Sequence, residues 1–412
     1  MLQRRIPPTR TLLVDPLVPP SVPLPPLTVD AYSRFALGAE QKGPETVSFD
    51  FALLGLFGET GTLLSAVKKK QRDEASFAGY ESAVVEELGD VLWYLNVVAH
   101  RGSLSLTAVA AAHDRDFVSW DQAIDPDLTF SALQPTASGV RTRPSREFER
   151  DLLELAGHVG LLMTDHAANR LSENRDSLSG RLIAIFRSLI RAASAAGVTL
   201  EEAARSNLDK IFDRWPEDRI FPEFRDTDLP VYERLPRRLV IDVTEETING
   251  KTYVYQRCND INIGDRLTDN ILGLDDYRFH DVFHYAYVAV LGWSPVTRAL
   301  FRLKRKSQPQ IDEAEDGARA TLIEEGVTTW IFGQAKNLAL FESVARGHLS
   351  FDLLKTVRRF VAGYEAERLP LWLWEEAILQ GYEAFRFLKK ERRGRLTIDM
   401  DARTLTVQPL PR

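Results

Sequence analysis

The segment VVEELGDVLWYLNVV, residues 84 to 98, carries apolar residues on nearly every side of the helix it would form. No face of such a helix suits water, so it belongs inside a fold. Three acids nevertheless sit in it. Glu86 and Asp90 are four apart and Glu87 and Asp90 three apart, so their side chains converge on one face. Burying unpaired carboxylates is costly, and like charges one turn apart repel. A divalent cation removes both penalties. Oxygen donors with no cysteine or histidine nearby suit Mg2+ or Mn2+ rather than zinc. Glu59, in the preceding apolar helix, completes the set. The plainer alternative is a solvated acidic stripe answered by Lys68, Lys69, Lys70 or an arginine.

Around this segment the chain reads as mainly α. A proline-rich arm fills residues 1–27, where no signal-type apolar helix can form. Helical periodicity starts at Thr28, with Asp30 in the first turn. Residues 28–120 hold the acids, and 121–145, rich in Pro, Gly, Ser and Thr, read as a linker. The pattern then repeats over 146–225. ELAGHVGLLM lies over GLFGETGTLL, RLIAIFRSLIRAASAAGVTLEEA over EELGDVLWYLNVVAHRGSLSLTAV, and FDRW over FVSW. In this second copy His158 replaces Glu59, and residues without charge replace Glu87 and Asp90. From 226 to 412 the character changes. RRLVIDVTEETINGKTYVYQR alternates around Asn249-Gly250, a hairpin signal, and RLTIDMDARTLTVQPL supplies a second hairpin. Mainly helical segments lie between them, so this region is expected to be a helical domain with a small antiparallel sheet.

GLFGETGTLLSAVKKK followed by VVEELGDVLWYLNVVA resembles the two-helix signature of the MazG-like all-α nucleoside triphosphate pyrophosphohydrolases, a Glu-x-x-Glu and then a Glu-x-x-Asp. TLEEAARSNLDKIFDRWP is similar to the closing helix of that family. The resemblance spans about residues 28–225, half the chain, and implies an all-α bundle in tandem, pseudo-dimeric form. It also implies Mg2+-dependent hydrolysis of a nucleoside triphosphate to the monophosphate and pyrophosphate. Glu59, Glu87 and Asp90 are then metal ligands, and Glu86 a ligand or water-orienting base. Lys68, Lys69, Lys70 and Tyr94 are candidate substrate contacts. One position departs from the family: Thr62 stands where the second glutamate belongs, which puts full activity in doubt.

Helices from two copies combine in the family to complete a pocket. That suggests a use for the second copy, which keeps Asn207, Lys210, Arg214 and Trp215 as a cationic, base-stacking side of one site. The alternative is that these residues only cap and pack their helix. A homo-oligomer is also compatible with this habit.

The third region is not recognised. In DDYRFHDVFHYAYVAVLGW, His280 and His284 are four apart on one helical face with Asp281 beside them, a set able to bind zinc, iron or manganese. Glu324 and Glu325 lie in an apolar helix downstream, as do Glu375 and Glu376. The sharp reading is a second, metal-dependent hydrolase acting on the released monophosphate. The bland reading is core histidines bonded to nearby tyrosines or acids. The pair superficially resembles HD-type phosphohydrolases, but that family's other residues do not fall into place.

Net charge of -7 and a pI near 5.7 disfavour a nucleic-acid polymer as partner. A single cysteine, Cys258, fits a reducing cytoplasm, and charges interrupt the apolar stretches before about 18 residues, which argues against a membrane. Two functions stand: a nucleotide-pool enzyme, or a catalytically weakened nucleotide sensor that regulates the third region or a partner.

Overall fold

The computed structural model describes residues 25–40, 48–113, 125–134, 139–171, 175–216 and 218–410. It divides into two compact units, Met1–Glu217 and Asp218–Arg412. The proline-rich arm up to residue 24, and the FVSW segment at 117–120, lie outside the described residues.

In the first unit α1 (Val29–Glu40) is followed by a long pair, α2 (Phe49–Asp73) and α3 (Tyr80–Arg101), then the short α4 (Leu106–Ala111) and α5 (Phe130–Leu133). A second long pair follows, α6 (Arg146–Ala167) and α7 (Arg175–Ala196), closed by α8 (Leu200–Arg214). Hydroxyl caps start several of these helices, because the first turn leaves N–H groups without partners. Ser48 accepts from Phe51 N at 3.1 Å, Ser145 from Phe148 N at 3.1 Å and Thr199 from Glu202 N at 3.0 Å.

The two helix pairs do not fold as separate bundles. Leu53 and Leu56 of α2, Leu88 and Leu92 of α3, Leu152 and Leu155 of α6, and Leu182 and Phe186 of α7 belong to one buried core. The pairs lie antiparallel side by side, with Asp50 at the start of α2 on His166 near the end of α6 (2.6 Å) and Gln71 on Glu149 (2.6 Å). The helices that follow each pair cross over, α8 packing on α3 and α4 on α7. Burying each large aliphatic side chain is worth roughly 1.5–3 kcal/mol, and that gain offsets the cost of acids at the core's edge. Part of the expected linker is built into this body: Thr28 bridges Thr129, and Gln134 donates to the carbonyl of Val198 at 2.9 Å. Contrary to the sequence expectation, the stretch Phe49–Ser76 is long and apolar enough to cross a bilayer by length and composition. Here α2 buries one face, including Ala52, Leu56, Leu63 and Val67, in the core.

The second unit begins ahead of the expected boundary at 226. Arg219 pairs with Glu376 at 3.1 Å, and Phe224 lies under the Arg403 guanidinium at 3.8 Å. Its sheet is antiparallel, in the order β3-β2-β1-β4-β5: β1 Arg238–Ile248, β2 Lys251–Cys258, β3 Ile261–Asn262, β4 Arg393–Asp399 and β5 Thr404–Gln408. Both expected hairpins are present. Asn249 and Gly250 have φ of 52° and 77°, the positive values a two-residue hairpin turn of the primed kind requires. Pairing of β1 with β4 joins the hairpins, with Ile241 opposite Leu396.

Six helices fill the space between the hairpins: α9 (Asp281–Ala286), α10 (Pro295–Leu300), α11 (Pro309–Glu315), α12 (Ala318–Ala335), α13 (Phe351–Phe360) and α14 (Leu371–Glu391). Helix α9 runs on into a π-turn, Tyr287–Leu291, and every residue from Val282 to Leu291 is buried. The core of this unit also holds ions. Arg305, 2% exposed, is bonded to the fully buried Asp316 at 2.8 Å and to Glu365 at 2.9 Å. In α14, Glu375 accepts from the N–H groups of Gly347 and Leu349, and Glu376 pairs with Arg219 and Arg346. These two acids are spent on structure.

Candidate functional site

Glu59 sits midway along α2, and Glu87 and Asp90 on the facing side of α3. One carboxylate oxygen from each lies within 4.8 Å of the other two. A glycine permits the approach of the two helices here. A Cβ on Gly55 would fall 2.0 Å from Tyr94 Cε1, so only glycine lets the Tyr94 ring lie across α2 one turn from Glu59. Burial raises the pKa of the Tyr94 hydroxyl, and the charges of Glu59 and Asp90 raise it further. Tyr94 is thus a wall of the acidic site.

Helix α8 reaches the same place. A Cβ on Gly89 would lie 2.6 Å from the Ala203 carbonyl oxygen and 3.0 Å from Asn207 Cβ, so Gly89 sets how closely α8 can pack on α3. At that separation Asn207 Nδ2 donates to Asp90 Oδ1 at 2.9 Å, while its own carbonyl accepts from the Tyr32 hydroxyl at 3.0 Å. Lys210 donates to Asp90 Oδ2 and lies 3.1 Å from Glu86 Oε1. Glu86 therefore faces Lys210 beside the three-acid cluster. Arg214, a turn further on, is buried with its guanidinium 5.5 Å from the centre of the Trp215 ring.

Burial pushes the Glu87 carboxyl up to about 8, reinforced by Asp90, Glu59 and Glu86 and only partly countered by Lys210. Asp90 is also raised, by burial, against the pull of Lys210 and Asn207. Burial works to deprotonate Lys210, but Asp90 and Glu86 overcome it and hold the ammonium charged. Glu87 Oε2 is buried and has no hydrogen-bond partner among the described residues. An orphaned carboxylate oxygen beside two more hard oxygen donors fits a Mg2+ or Mn2+ ion.

A pH dependence follows from the raised Glu87. Between the ordinary carboxylate range and about 8 the folded chain holds a proton that the unfolded chain releases. Stability without a cation therefore falls as pH rises through that window. A bound cation favours the ionised form and opposes the loss. The gain in melting temperature on adding Mg2+ is expected to be larger near pH 8 than near pH 5, measured by thermal denaturation. A gain independent of pH would count against these ligands.

Other sequence candidates lie apart from the acids. Lys70 donates to the Phe77 carbonyl at 3.1 Å and lies over the Tyr80 ring at the turn between α2 and α3. At 1.5 Å per residue that is about 16 Å along α2 from Glu59. Lys68 and Lys69 are exposed on the same last turns. Thr62 is exposed, its hydroxyl donating to the Gly58 carbonyl at 3.1 Å. Leu182 and Ile185 of α7, the residues that the expected repeat sets against Glu87 and Asp90, are fully buried in the core. A separate cleft, lined by Val85, Ser131, Gln134, Thr199, Arg205 and Asp209 among others, includes none of the four candidate carboxylates.

Tyr32, Gly55 and Gly89 escaped the sequence reading. Their importance depends on which helices meet, and periodicity alone does not give that. In the second unit the structure gathers His280, Asp281 and His284, with atoms within 4.8 Å of one another, and places Glu324 and Glu325 against them.

Residues 220–411 match the family model of the MazG C-terminal domain. The match falls on the region where no resemblance was read from sequence. No curated protein and no solved structure matches the chain.

Proposed function

We propose that the N-terminal unit is a MazG-type nucleotide pyrophosphohydrolase, cleaving a nucleoside triphosphate to the monophosphate and pyrophosphate. The observation that carries this reading is the convergence of Glu59, Glu87 and Asp90 around a buried, unpartnered carboxylate oxygen. The match of residues 220–411 to a MazG domain supports it by a route independent of the acids. When bound, Mg2+ would supply charge neutralisation of the triphosphate and polarisation of the scissile phosphorus–oxygen bond.

The chain's own residues divide the rest. Glu59, Glu87 and Asp90 would hold the cation. Glu86, beside them, is the candidate acceptor of a proton from water. Lys210, held on Asp90 and Glu86, keeps a positive charge beside the acids for the phosphates to meet. Tyr32 fixes the Asn207 amide, so its N–H group stays on Asp90. Tyr94 offers an aromatic wall.

Lys210→Ala is expected to lower kcat/KM for pyrophosphate release by about tenfold or more, a loss of at least ~1.4 kcal/mol of transition-state binding. Lys68→Ala and Lys69→Ala should leave it within about twofold. Equal effects at all three positions would remove α8 from the site. Thr62 favours a second reading. With no acid at that position, the site suits fewer cations, and a nucleotide-binding sensor becomes the alternative. Nucleotide binding with Mg2+ but no pyrophosphate from any nucleotide in a broad panel would select the sensor.

A further inference from the structure

The C-terminal unit holds a second donor set whose hydrogen bonds reveal which atoms are free to bind. His280 Nδ1 lies 2.9 Å from the Tyr277 carbonyl oxygen. A carbonyl can only accept, so this nitrogen carries a proton, and Nε2 is the atom left to offer a lone pair to a cation. His284 Nδ1 lies 2.8 Å from Glu324 Oε1. Glu324 is fully buried and also accepts from the Ser294 hydroxyl at 2.7 Å and from Val296 N at 2.8 Å, the pattern of an anion. His284 therefore also turns its Nε2 away from its anchor.

Both Nε2 atoms approach Glu325, and that of His280 approaches Asp281 as well. His280 Nε2 is 3.1 Å from Asp281 Oδ1 and 4.0 Å from Glu325 Oε2, and His284 Nε2 is 3.4 Å from Glu325 Oε1. His284 Nε2 is buried and makes no hydrogen bond among the described residues, despite that short approach. Four donors each about 2.0–2.2 Å from one tetrahedral cation stand about 3.4 Å apart, close to the spacing seen.

We infer that His280, Asp281, His284 and Glu325 form a binding site for a first-row transition-metal dication. Glu324 is not a ligand in this set. It stands behind His284 and orients it, as the Tyr277 carbonyl orients His280, an outer layer that metal-binding imidazoles regularly have. Asp281 is held in turn by Gln256, which accepts from the Tyr285 hydroxyl at 2.6 Å. The Tyr277 ring stacks on His280 at 4.4 Å and 6°, fixing the imidazole plane. Two imidazole nitrogens select zinc-like or manganese-like ions over the all-oxygen preference of Mg2+ and Ca2+. The Glu325 side chain is 38% exposed and those of both histidines nearly enclosed, so an ion enters past Glu325.

The competing arrangement is a proton on His284 shared between Glu324 and Glu325, with no metal. The test uses the untagged full chain carrying Glu87→Gln, which silences the N-terminal acids. The protein is stripped with chelator, incubated with Zn2+, Mn2+, Mg2+ or Ca2+, desalted and analysed for metal content and melting temperature. The expected result is about one retained Zn2+ or Mn2+ per chain and a raised melting temperature, with neither effect from Mg2+ or Ca2+. Glu325→Gln, at the rim, and the near-isosteric His280→Asn should each abolish retention while keeping the fold. Glu324→Gln should weaken affinity by about 10–100-fold. Metal content no higher in the parent than in the His280→Asn, Glu325→Gln double variant would overturn the proposal. So would equal responses to Zn2+ and Mg2+.

Discussion

Glu87→Gln is expected to reduce pyrophosphate release by at least about 10²-fold and, in the absence of Mg2+, to raise the melting temperature. The two effects share one cause. Glu87 lies among Asp90, Glu59 and Glu86, and its carboxyl is pushed up to about 8, mainly by burial. A glutamine keeps the shape and is neutral without the proton that the folded chain must take up at Glu87 below about pH 8. The cation-free fold gains by that exchange. The cation loses an anionic ligand, so Mg2+ should also stop stabilising the variant. Pyrophosphate assays and thermal denaturation with and without Mg2+ read both outcomes. A variant that loses activity and also melts lower without Mg2+ would mean Glu87 serves the fold, and the metal assignment would fall.

Arg305→Met should destabilise the C-terminal unit by about 3 kcal/mol, the lower end of the range for stranding a buried charge. Asp316 is 0% exposed and takes two guanidinium contacts from Arg305, at 2.8 and 3.0 Å, besides the Arg305 backbone N–H at 2.8 Å. Methionine fills similar volume and leaves that carboxylate without its main counter-ion. Arg298 lies 3.9 Å away and keeps some positive charge nearby, which is why the low end applies. Denaturant unfolding measures the loss. Adding Asp316→Leu to Arg305→Met should recover a large part of it, because a well-packed apolar pair can replace a buried ion pair. A double variant no more stable than the single one would show that packing, not charge, is what Arg305 contributes.

The convergence of the carboxylates was legible in sequence because acids three and four apart share one face of a helix, and the structure brings Glu59, Glu87 and Asp90 together there, half-buried. The resemblance alone pointed to Asn207 and Lys210 of α8, which the structure sets against Asp90. What spacing cannot give is the distance between helices. Gly55 and Gly89 matter because a particular ring and a particular carbonyl lie against them, and Tyr32 because α1 brings its hydroxyl onto Asn207. Lys68 to Lys70 looked suitable by charge, but position along α2 carries them away from the acids.

The same limit shows in the second unit. Asn249-Gly250 announces a hairpin from local rules alone, but the pairing of β1 with β4 joins segments far apart in the chain. His280 and His284 share a face by spacing. Which nitrogen is already bonded, and whether Glu324 or Glu325 fronts the cluster, emerges only with α12 in place.

The crossing of α8 onto α3, and of α4 onto α7, also governs how the acidic site can fluctuate. A surface loop over a pocket opens by itself, with little cost. Here the residues opposite Asp90 ride on a helix whose Leu200, Ala203 and Ala204 are fully buried in the shared core. Large excursions of Asn207 or Lys210 therefore require α8 to leave that core, which ties them to opening of the whole unit rather than to a local event. Exchange of solvent and ligand is left to side-chain rotation alone. Backbone amides of α3 and α8 then belong to one cooperative block, and the geometry around Asp90 persists for as long as the unit stays folded.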